Sequence, residues 1–216
     1  MSLRAFQHAV VELTLAPRRA RRLAQGDLSV IEAYDLAERE RQRLLDIVRQ
    51  PGMSLNCTIA RGNRFEAIGE LFPMTCVLLE PILRQLLDEL WEDVRPTNYQ
   101  FTGEADAFVA KVQQKIAQGE LPIEYLDEVF AYELICLNMA QEMQNQTDKT
   151  CEVERIVEFQ HSPEPLLLAL STLNAPPAGL PSGLYRARLL LRGMRFEVEM
   201  LSAAVVRQNV VHLQDE

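Results

Sequence analysis

Three histidines, His8, His161 and His212, and four cysteines, Cys57, Cys76, Cys136 and Cys151, are the side chains best able to hold a metal or attack a substrate. They are scattered along the chain without the paired spacing of a metal site. A catalytic thiol needs a base beside it, and only three histidines exist to supply one, so the cysteines read as buried or free thiols. No P-loop, G-x-G-x-x-G or G-x-S-x-G run is present. Glu197 and Glu199 alternate on one side of a strand pattern, a spacing that suits acid–base work and equally suits solvation of an exposed face. The expectation is a chain with no catalytic residue, metal ligand or cofactor of its own.

Residue types suited to recognition are better represented. In the stretch from Arg61 to Phe72, Arg61 and Arg64 can grip carboxylates with two parallel N–H groups, Asn63 lies between them, and Phe65 and Phe72 can anchor an interface. Internal salt bridges and core packing account for the same residues. Further on, Tyr185, Arg186, Arg188, Arg192 and Arg195 fall in a hairpin pattern. A small sheet has edges whose backbone groups can accept a guest strand, and these arginines would set positive charge beside an acidic peptide. The competing reading leaves the arginines merely solvated and the edge covered by the Pro-rich loop.

The elements that must position these groups change character along the chain. Residues 1–145 read as helical. Pro17 suits a helix start, and Asp35-Leu-Ala-Glu38 has the form of a capping box for a helix running to Arg49, which Pro51-Gly52 ends. Leu79, Ile82, Leu83, Leu86, Leu87, Leu90 and Trp91 keep helical spacing up to Arg95-Pro96. Ala105, Phe108, Val109, Val112 and Ile116 repeat it up to Gly119, and Pro122 opens a further helix reaching about Met143. The polar run Gln144–Thr150 reads as a linker. Beyond it the period falls to two: a strand over Glu152–Gln160, a short helix over Pro163–Leu170, strands over Leu184–Leu191 and Arg195–Leu201, and a last strand within Val205–Leu213. In the second hairpin strand Phe196, Val198 and Met200 should be buried opposite a wet face of Glu197 and Glu199. The fold class is therefore α+β: a helical bundle domain over 1–145, then a small antiparallel β domain with a short helix over 151–216.

Of 216 residues, 48% are hydrophobic and 25% charged, ordinary values for a globular core. The net charge is −9, which opposes association with a phosphate backbone. Residues 1–150 carry −7 of it and residues 151–216 carry −2. The basic cluster Arg18, Arg19, Arg21 and Arg22 reads as a solvated helix face or as a basic patch. No apolar run has membrane length and no signal-peptide pattern opens the chain, so the expected compartment is the cytoplasm and no membrane is expected among its partners.

The run Leu36-Ala-Glu-Arg-Glu-Arg-Gln-Arg-Leu-Leu, with Gln50-Pro-Gly-Met53, Asn56-Cys57, Asn63-Arg64 and Phe72-Pro-Met-Thr-Cys76, resembles helical domains of a bacterial family first labelled as DNA-binding. That family includes or borders the partner subunits of multinuclear non-haem iron oxidases that modify ribosomally made peptides, in methanobactin and 3-thiaglutamate biosynthesis. Val157-Glu-Phe-Gln-His-Ser-Pro-Glu-Pro-Leu-Leu-Leu-Ala-Leu170, with Ala175-Pro-Pro177 and Leu184-Tyr185, is similar to the family's small β domain. One departure is Ile59-Ala60-Arg61, where the helical motif carries Tyr before Arg.

The resemblance implies a division of labour. Iron and oxidation chemistry belong to a separate subunit; this chain docks on it through the helical domain, in a heterodimer, and holds the precursor peptide's leader with the β domain. Its cysteine-bearing region would then be presented to the iron. Two alternatives stay open: a nucleic-acid-binding regulator using the Arg18–Arg22 cluster, and a standalone enzyme using His161 or His212 with nearby carboxylates.

Overall fold

Prolines set the starts of four helices among the described residues. Pro17, Pro51, Pro73 and Pro163 each occupy the first turn of a helix, where the missing N–H costs nothing and φ is already helical. A computed structural model describes residues 3–94, 103–145, 152–192 and 195–201. His212, Cys151, Arg95-Pro96, most of the expected linker, the turn residues Gly193 and Met194 and the expected strand over Val205–Leu213 lie outside the described residues. The architecture is α+β, helices first and then a three-stranded antiparallel sheet. Among the described residues no helix is long and apolar enough to cross a membrane.

The first compact unit, Met1–Glu124, contains α1 (Leu3–Leu15), α2 (Pro17–Ala24), a 3₁₀ turn (Leu28–Ile31), α3 (Glu38–Val48), α4 (Pro51–Leu71), α5 (Pro73–Asp93) and α6 (Gly103–Ala117). Ala9, Leu13, Leu23, Ile31, Leu44 and Met53 form one core cluster among the first four helices. Ile68, Leu79, Trp91, Phe108 and Val112 on α4–α6, and Phe72 between α4 and α5, are buried.

Several sequence expectations shift here. The helix does end before Pro51, α3 closing at Val48 with Arg49 as its cap, but Pro51 also starts α4, and Gln50 between them takes the extended backbone (φ −77°, ψ 144°) that a following proline imposes. Phe72 breaks α4 from α5 for the same reason, at φ −131° and ψ 50°, while its buried ring packs 5.7 Å from that of Phe108. The cap of α3 is Ala37 rather than Asp35; with no side-chain acceptor there, only half a capping box forms, the Glu40 carboxylate accepting the Ala37 N–H at 2.9 Å. Gly119 does stop α6: at φ +69° it lets its own N–H reach the Ile116 carbonyl and that of Glu120 the Lys115 carbonyl, at 2.9 Å each.

The second unit, Tyr125–Glu216, opens on α7 (Leu126–Asn145), followed by β1 (Glu152–His161), α8 (Pro163–Ser171), β2 (Ser182–Arg192) and β3 (Arg195–Leu201). The division by compactness thus falls before α7, ahead of the polar run after Met143. Met139 of α7 shares a core with Val153, Val157 and Phe159 of β1 and Ala187, Leu189 and Leu191 of β2. Pro122 does not open α7, because Tyr125, at φ 66°, takes a left-handed conformation between them. In the sheet, β2 is central: Val157 faces Ala187 on one side, and Leu189 faces Val198 on the other.

Candidate functional site

Of the five residues expected on a partner surface, Arg64 and Phe72 are interior. Arg64 Nε donates to Glu104 Oε1 at 2.6 Å and Nη2 to Glu104 Oε2 at 3.1 Å. Nη1 donates to the Leu15 carbonyl at 2.9 Å and Nη2 also to that of Val94 at 3.0 Å. Those carbonyls end α1 and α5, where a cation is favoured, and Glu104 sits in the first turn of α6, where an anion is favoured. Trp91 completes the group, its indole N–H donating to Glu104 Oε2 at 3.1 Å and its ring lying 4.9 Å from the Arg64 guanidinium carbon. Burial draws the Arg64 pKa below its ordinary value, and the Glu104 hydrogen bond opposes that shift. The arginine is a structural tie.

The other three are less enclosed. Arg61 pairs with Asp88 and stands 5.9 Å from the Trp91 ring. Phe65 is half-buried, with its ring lying over Gly69 so closely that a Cβ there would come to 3.2 Å. Asn63 is exposed, and beside it on α4 Leu55 and Ile59, four residues apart, are 61% and 53% exposed. Sequence reasoning missed this apolar pair because apolar residues occur on several sides of α4, leaving its buried face poorly marked.

The four arginines expected to face a peptide, Arg186, Arg188, Arg192 and Arg195, lie on the sheet's outward face, and each has a carboxylate. Arg186 pairs with Glu158 at 2.7 Å, Arg188 with Glu154 at 2.8 Å, and Arg192 with Glu152 at 2.8 Å, all across β1 and β2. Arg195 lies 3.7 Å from Glu197. Their hydrogen bond and charge hold the Glu154 carboxyl below its usual range and the Arg188 guanidinium above its own. A uniformly positive groove is therefore absent from this face. Tyr185 points the other way, half-buried against the core shared by α7 and the sheet.

That inner face carries the unexpected feature. Phe196, Val198 and Met200 stand opposite the buried Leu191, Leu189 and Ala187, yet are 41%, 42% and 40% exposed. The alternation was read correctly, but the expected burial does not follow. Strand β3 is an edge of the sheet among the described residues, and its apolar row continues the core beyond the strands that α7 covers.

His161, at the end of β1, is held by a buried carboxylate of the same unit. Its Nδ1 lies 2.7 Å from Glu128 Oε1, while Glu128 Oε2 accepts the backbone N–H groups of Gln160 at 2.7 Å and His161 at 3.2 Å. The Tyr125 ring meets the imidazole edge-on at 4.8 Å. Glu128 thus fastens the first turn of α7 to β1 and fixes the imidazole's orientation. No local signal links residues 33 apart, so this pair was not legible. The thiols of Cys57 and Cys136 are pushed up by burial, Cys136 to about 11, and stay protonated at neutral pH. Among the described residues no group of three or more His, Cys, Asp or Glu is placed to hold a metal ion.

No family model matches the chain, and no curated protein matches it.

Proposed function

We propose that this chain is a non-catalytic partner subunit: it holds the leader of a ribosomally made precursor peptide and presents the cysteine-bearing region to an associated multinuclear non-haem iron oxidase. The observation that carries this reading is β3, an edge strand among the described residues whose Phe196, Val198 and Met200 are each about two-fifths exposed. A peptide added along that edge would gain main-chain hydrogen bonds, and its alternate apolar side chains would extend the row. Tethering the leader raises the effective concentration of the reactive segment at the oxidase, so acceleration comes from position. Docking on the oxidase falls to the exposed Leu55, Ile59 and Asn63 of α4, since Arg64 and Phe72 are occupied inside.

The nucleic-acid reading loses its support in the basic cluster. Arg18 reaches Asp88 and Glu92 at 3.8 Å, Arg19 reaches Glu12 at 3.4 Å and Arg22 reaches Asp27 at 2.8 Å, so three of the four charges are shared with carboxylates, and Arg21 alone is too little to follow a phosphate backbone. Co-expression with a multinuclear non-haem iron oxidase from the same genome tests the proposal. A 1:1 complex should survive gel filtration at micromolar concentration, and Ile59→Asp should split it. Separate elution of the unaltered subunits contradicts the docking role.

A further inference from the structure

Arg21 stands apart from its neighbours on α2. Arg18, Arg19 and Arg22 each reach a carboxylate, whereas neither Arg21 nor Arg84 of α5 has an ion-pair partner among the described residues. Both line one cleft of about 250 Å³ in the helical unit, together with Arg61. The lining contains no Asp or Glu. Arg61 shares its charge with Asp88, so the net positive charge of the cleft rests on Arg21 and Arg84. In a unit whose sequence is strongly acidic, such a local reversal of sign focuses the field on an anion.

The rest of the wall fixes the kind of anion. Ser54 adds a hydroxyl, and Met53, with alanines of α2, supplies an apolar floor. Guanidinium forks match the oxygens of phosphate and carboxylate. A volume just under the usual range for ligand pockets suits a small molecule rather than a nucleotide or a peptide. We propose that this cleft between α2, α4 and α5 binds a small organic oxyanion, a phosphate or carboxylate head on a short apolar body. The site is independent of the peptide-holding role above, since none of its residues lies in the β unit.

Calorimetric titration of the full chain with phenyl phosphate and with benzoate, at fixed ionic strength, tests it. Saturable binding of either head group is expected, with inorganic phosphate weaker than phenyl phosphate because it leaves the apolar floor unused. Arg21→Ala and Arg84→Ala, at exposed positions that keep the fold, should each weaken binding by roughly tenfold. Arg192→Ala, on the sheet, should leave it unchanged. Failure of both ligands to saturate would overturn the proposal, as would equal affinity in the unaltered chain and the Arg21 and Arg84 variants.

Discussion

Arg64 has four hydrogen bonds inside the protein, to Glu104 twice and to the carbonyls that end two helices. A carboxylate removed from such a site leaves a guanidinium buried without its counter-charge, which costs more than the pair contributes. Glu104→Ala should accordingly destabilise the helical unit by about 3–5 kcal/mol in urea unfolding. A loss below about 1 kcal/mol would mean the pair is reached by solvent. The residue type at position 64 was informative in the sequence, but its direction was not. Its partner lies 40 positions away, and a helical period cannot distinguish an arginine that faces a colleague helix from one that faces a guest protein. Phe72 was ambiguous in the same way; only the break imposed by Pro73 turns its ring inward.

At the scale of elements, α7 carries a titratable pair one turn apart on its core side. Burial raises the Cys136 thiol from an ordinary 9.0 to about 11, and raises the Tyr132 hydroxyl as well. Above pH 9 the unfolded chain releases the thiol proton while the folded chain keeps it, so the folded state binds more protons and stability falls as pH rises. Urea midpoints should decline between pH 9 and pH 11, and Cys136→Ala should flatten that decline; a midpoint independent of pH in this window would contradict the burial. Strand β3 was legible only in part. Its period of two was plain, and periodicity says which side chains share a face. It does not say whether anything covers that face. Phe196, Val198 and Met200 share the inner side of the sheet with Leu191, Leu189 and Ala187, and only the β2 row is closed over.

For the whole molecule, the change of period near residue 150 was legible and gave the α+β class. It marks where helix gives way to strand, which is not where one core ends and the next begins. Met139 of α7 is buried with the sheet, so the compact unit starts at Tyr125. The three ties that build the candidate sites, Arg64 with Glu104, Glu128 with His161 and Arg188 with Glu154, each join residues more than 30 positions apart, and no local spacing encodes them. Among the described residues the molecule offers an edge strand with an apolar row, an exposed apolar pair on α4 and two cysteine thiols, Cys57 and Cys136, kept protonated. The proposed peptide-holding role rests on the first two of these features. The most direct test of the proposed role is a fluorescence-anisotropy titration of a labelled precursor leader peptide, comparing the unaltered protein with Val198→Asp. Val198 is 42% exposed, so the variant should keep its stability within about 0.5 kcal/mol. Saturable binding that weakens by about tenfold or more in the variant is the result the account predicts; equal affinity in both proteins, or none in either, contradicts it.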